Sequence, residues 1–144
     1  MTITPQPLPA LYGIDETAWL DAMSSLAAEG RYAEMDFNNL SEFLSSMARR
    51  ELREVTSRLE ILLTHILKAD HQSGKCSASW LGTIRAQRHR LQKLLKSGTL
   101  RNHAEAIFAE AYAEAREQAS VETGLTIETF PDSPPYDLDA ILAG

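Results

Sequence analysis

The chain contains a single cysteine, Cys76, among 144 residues. A lone thiol excludes an internal disulfide framework and any paired CxxC motif, and it suits a reducing compartment. The phosphate-binding and metalloprotease signatures GxxxxGK[ST], GxGxxG and HExxH are also missing. Long apolar runs are missing too. The stretch Leu59–Leu67 is interrupted by Glu60, Thr64 and His65, far short of the ~18 apolar residues of a membrane span. The segment Met1-Thr-Ile-Thr-Pro-Gln-Pro7 has neither a basic residue nor an apolar core, so it does not read as a secretory signal. These absences point to a cytoplasmic protein with no membrane partner and no cofactor.

Acidic residues are missing from one region. Residues 71–104 hold seven bases and no acid: Lys75, Arg85, Arg88, Arg90, Lys93, Lys96 and Arg101. Residues 1–48 hold seven acids and one base, and residues 105–144 hold nine acids and one base. The net charge of −6 therefore hides a basic segment between two acidic ones. That segment is either neutralised within the fold or faces a polyanion.

What is present is helical periodicity, with no strand-like alternation and no internal repeat. The expected class is all-α: a bundle of about four helices with one long central helix and a short C-terminal helix. Three prolines and Gly13 mark residues 1–13 as an extended N-terminal arm, and 14–144 read as a single helical domain. A first helix is expected from Asp15 to Glu29, stopped by Gly30. The long helix starts near Asp36 or Asn38 and meets no proline or glycine before Gly74. From Ala48 its apolar residues, Leu52, Val55, Leu59, Leu62, Ile66 and Ala69, step by four and three, a heptad seam. Leu40, Leu44 and Met47 form an earlier seam out of phase with it, so a bend or a change of packing partner is expected at 47–51. A third helix is expected from Ser77 or Ser79 to about Ser97, and a fourth from Thr99 to Thr123 with Gly124 as its stop.

Three groups of polar residues are candidates for function; none reads as catalytic or metal-binding. Trp80, Thr83, Gln87 and Arg88 share one helical face, with His65 and Tyr112 as neighbours from other helices. That face is either a hydrogen-bonded network that fixes helix register or a recognition site. Asn39, Glu42 and Arg49 form a polar strip near the seam mismatch. Arg85, His89 and Lys96 are candidate phosphate contacts on the basic helix 79–97, opposed by the expectation that the acidic fourth helix compensates them or that they form a plain solvated face.

Taken together, several stretches resemble a known family. They are Met35-Asp-Phe-Asn-Asn-Leu40, Arg58-Leu-Glu-Ile-Leu-Leu-Thr-His-Ile-Leu-Lys68, Ser79-Trp-Leu-Gly-Thr-Ile-Arg-Ala-Gln-Arg88, Ala111-Tyr112, Glu122-Thr-Gly-Leu125 and Thr129-Phe-Pro131. The chain resembles the bacterial, mainly cyanobacterial, family catalogued as domain of unknown function twenty-nine, from about Leu11 to Leu142. The resemblance implies an all-helical fold and supplies no activity. The leading functional expectation is a non-enzymatic helical protein-interaction module that associates with itself or another protein. The alternatives are a nucleic-acid-associated regulator using helix 79–97, and a small-molecule or enzymatic site between the second and third helices.

Overall fold

A computed structural model describes residues 7–144, and every regular element among them is helical. Helix α1 covers Leu8–Ile14, α2 Glu16–Ala28, α3 Phe37–His71, α4 Ala78–Leu94, α5 Gly98–Thr123 and α6 Leu138–Ala143. Short 3₁₀ turns occupy Tyr32–Glu34, Ser73–Lys75 and Ile127–Thr129.

The helix boundaries follow capping chemistry. The Asp15 side chain accepts from the Ala18 amide at the start of α2, Ser77 from Trp80 at the start of α4, and Asp137 from Ala140 at the start of α6. Each satisfies an amide that has no partner within its helix. For α5 the cap is Ser97 and the helix starts at Gly98, one residue earlier than the start expected at Thr99. Gly124 closes α5 at φ +75°, a left-handed conformation that a Cβ would strain.

The expected extended arm requires correction. Residues 1–6 of it lie outside the described residues, and Leu8–Ile14 is helical. Pro7 is the N-cap and Pro9 lies in the first turn, where amides have no intrahelical acceptor and proline costs nothing. The chain divides into two compact units, one ending at Arg49 and one spanning Arg50–Gly144. Helix α3 runs unbroken through the boundary.

In the first unit the core is built on Trp19, which is fully buried, and Met23. The Trp19 ring meets Tyr12 of α1 edge-on at 4.7 Å and Phe43 of α3 at 5.7 Å, a favourable geometry for aromatic quadrupoles. In the second unit the core combines Val55, Leu59, Leu62, Leu63 and Leu67 of α3 with Ile84 and Leu91 of α4. Leu95 at the end of α4, Leu100, Ala104, Ala111, Tyr112, Ala115 and Ala119 of α5, Phe130, and the α6 residues Leu138, Ile141 and Leu142 complete it. Alanines on the buried side of α5 allow its backbone close approach. The buried side of α3 is wider than the two-position seam expected from the sequence, since Leu63 and Leu67 join it.

Backbone carbonyls of the C-terminal segment are held by side chains from α4 and α5. Arg88 Nε donates to Ile141 O at 2.7 Å and Gln92 Nε2 to Leu142 O at 2.6 Å. Tyr112 Oη donates to Pro131 O, and Arg116 Nε to Phe130 O at 3.0 Å. The Ile141 and Leu142 carbonyls lie in the last turn of α6 and those of Phe130 and Pro131 outside any helix, so none has an intrahelical partner.

Candidate functional site

The start of α3 is set by Asp36. Its carboxylate accepts from Trp19 Nε1 at 3.1 Å, from Asn39 Nδ2 at 2.7 Å and from the Asn39 amide at 3.3 Å, while its own amide points at Met23 Sδ, 3.3 Å away. Burial opposes the Asp36 charge, but the Asn39 and Trp19 donors outweigh it and hold the carboxyl below its ordinary range. Asn39 Nδ2 also lies 3.4 Å from Pro9 O, which joins α1 to α3.

This anchoring fixes the rotation of α3 and leaves one of its sides uncovered. Phe37, Leu44 and Met47 are 55%, 56% and 42% exposed, and Leu40 is half-buried. They follow one another by three, four and three residues, so they lie on a single stripe. Ser41, Ser45 and Ala48 border the stripe and are exposed. From Phe37 to Ala48 this side of α3 carries no charge. The polar strip lies round the helix from it: Glu42 and Arg49 are exposed, Arg49 Nη2 reaches Ser46 Oγ at 3.4 Å, and Asn39 is committed to Asp36. The two seams thus have different fates. Val55, Leu59 and Leu62 of the second are fully buried, whereas the first lies open.

The residues of the Trp80–Arg88 face are engaged one by one with different neighbours. The Lys68 ammonium sits 4.5 Å over the Trp80 ring and 3.6 Å from Glu122, a cation–π contact combined with an ion pair. Gln87 accepts from Arg58 Nη1 at 3.1 Å. Arg88 and Tyr112 hold the C-terminal segment as described, and Thr83 is half-buried. His65 Nδ1 lies 2.9 Å from Ile61 O, and His65 faces α5 rather than α4. The structure does not gather these six residues at one place.

His65 instead lines a polar cleft of about 280 Å³ with Glu60, Ile61, Thr64, Glu114, Gln118 and Glu122. The spacing of the acids in sequence gives no sign of this convergence. Burial, followed by the charge of Glu114, raises the pKa of Glu60. A carboxyl whose folded pKa is raised adds stability below its unfolded value, near 4.3, and loses it as pH rises through the folded value. Glu60→Gln is therefore expected to raise the thermal midpoint relative to the parent at pH 7 and to leave it nearly unchanged at pH 4. Paired melts at the two pH values measure this, and an equal shift at both would refute it. Among the described residues no group of three or more His, Cys, Asp or Glu could hold a metal ion.

A mainly apolar groove of about 420 Å³ is lined by Ile66 and Ala69 of α3, Leu81 and Ile84 of α4, Tyr136 and Ile141, together with Asp70 and Arg88. The Tyr136 hydroxyl is buried with no hydrogen-bond partner among the described residues, and burial raises its pKa.

Among the described residues, no ion pair joins the basic helix α4 to α5. Arg90 pairs with Glu54 of α3 at 3.1 Å, while Arg101 of α5 pairs with Glu105 of its own helix and with Asp139 of α6. Two hydrogen-bonded arginines, Arg58 first, hold the Glu54 carboxyl below its ordinary range. Arg85 and His89 are exposed on a shallow depression of about 640 Å³ shared with Gly82, Ala86, Arg88, Gln92 and Gly144. Among the described residues, no acidic side chain lines it. Lys96 is exposed as well but does not line this depression.

A family model described as domain of unknown function DUF29 matches residues 11–144. The chain belongs to that family. The match spans both units, so the α3 stripe, the α3–α5 cleft and the basic depression all fall within the DUF29 domain. Neither a curated protein nor a solved structure matches the chain. Among the described residues, no helix is long and apolar enough to cross a membrane.

Proposed function

We propose that this DUF29 protein is a helical protein-interaction module that acts by binding rather than catalysis and associates with itself through the N-terminal part of α3. The observation that carries this is the uncharged stripe Phe37–Leu40–Leu44–Met47, whose three most exposed members are large apolar residues on one side of a helix. Apolar residues scattered singly over a surface need no explanation, whereas a contiguous stripe marks an interaction surface. Its spacing is that of a helix laid against another helix. A cytoplasmic setting fits the single, unpaired Cys76. Sedimentation equilibrium between about 1 µM and 1 mM, a range that brackets a typical weak interface, is expected to show the mass rising from monomer to dimer. A constant monomer mass across that range would remove self-association.

A second reading, a nucleic-acid-associated regulator, is favoured by the exposure of Arg85 and His89 on α4 and of Lys96 just past its end at Leu94. Phosphate contacts make affinity fall steeply with salt. On this reading Arg85→Glu with Lys96→Glu abolishes a salt-sensitive mobility shift of duplex DNA or RNA. An unshifted probe with the parent protein at low salt would end it.

A further inference from the structure

We infer that the stripe on α3 pairs with its own copy in antiparallel orientation, about a two-fold axis crossing α3 at the level of Glu42. This rests on the self-association proposed above and specifies its geometry.

The first argument is self-complementarity. An isologous interface places the same patch on both sides, so residue i meets j and j meets i. With the axis at Glu42, Phe37 faces Met47 of the second copy and Leu40 faces Leu44. All four apolar residues then find an apolar partner in one register. Ser41 and Ala48, small and uncharged, flank the contact and let the helices approach. Glu42 and Arg49 project away from it, so no charge is buried.

The second argument is charge. Glu29 and Glu34 precede the stripe with one base, Arg31, between them and the buried Asp36 after them, while Arg50 and Arg53 follow it with one acid, Glu51, between them. A parallel pair sets the basic ends side by side, and like charges in register repel. The antiparallel pair sets each acidic end beside the other copy's basic end and also opposes the helix dipoles. The third argument is area. Four partly exposed side chains with their small neighbours bury on the order of 1,000 Å² over both copies, at the low end for a specific interface. The pair is accordingly a weak dimer rather than a permanent one.

The test uses the full chain with Cys76→Ser, labelled with a nitroxide at Glu42→Cys or at Arg49→Cys. These positions are one heptad apart on the outward side, so the labels stay clear of the contact. Pulsed electron paramagnetic resonance is run at concentrations where sedimentation shows dimer. In the antiparallel register the two Glu42 positions lie level, while the two Arg49 positions are offset along the axis by about 21 Å, at 1.5 Å per residue. The distance between labels at 49 should therefore exceed that at 42 by at least about 5 Å. Equal distances from a dimer would overturn the antiparallel register and leave self-association standing. A longer distance at 42 than at 49 would displace the axis and overturn the register as well. A sedimentation monomer at every concentration would overturn both readings.

Discussion

Trp19→Ala is expected to unfold the unit that ends at Arg49 while the Arg50–Gly144 unit stays folded. Trp19 is fully buried and contacts Tyr12, Phe43 and Asp36. Truncating a buried tryptophan costs about 3–5 kcal/mol, and here the Asp36 carboxylate also loses a donor in a buried setting, about 1–3 kcal/mol more. A unit of this size has little stability in reserve. The buried cluster of the second unit draws on residues from Val55 onward and keeps all its members. Circular dichroism should lose the helix of α1, α2 and the first turns of α3, and amide spectra should retain dispersion for residues after Arg50. Loss of dispersion over the whole chain would show that the two units do not fold separately, and an unchanged spectrum would show that Trp19 is not the keystone.

The second large effect is on association. Leu44→Lys with Met47→Lys puts two charges on the uncharged stripe of each copy, facing apolar side chains of the other. Burying an unpaired charge is among the costliest changes at an interface. Dimer affinity should fall at least 100-fold, beyond detection at micromolar concentration. Both residues are exposed in the chain itself, so the thermal midpoint of the monomer should move little. Dimerisation that survives the double substitution would place the contact elsewhere.

The contrast between the two halves of α3 was legible in the sequence as a phase slip near 47–51. The helix boundaries were legible because Asp15, Ser77 and Gly124 use local capping chemistry that leaves a sequence signature. Helix α1 was missed because Pro7 and Pro9 read as breakers, although at a helix start they are compatible with it. Leu63 and Leu67 were missed because a two-position seam describes one partner helix, whereas α3 shares its core with α4, α5 and α6. The Trp80–Arg88 face reads in the sequence as either a register-fixing network or a recognition site because its members share a helical side. Arg88 and Tyr112 in fact bond backbone carbonyls of the C-terminal segment, and acceptors of that kind have no residue signature. The Glu60–Glu114–Glu122 cleft joins residues more than fifty positions apart, beyond any local pattern.

The most direct test of the central claim is the methionine methyl spectrum of the unmodified chain across a dilution series. Met47 lies on the open stripe, and Met23 is buried in the core of the first unit at 4% exposure. The Met47 methyl resonance should shift progressively with concentration, reporting its burial against the second copy, while Met23 stays in place. A Met47 resonance that remains fixed from micromolar to millimolar protein would contradict the claim that this stripe is the surface through which the protein associates.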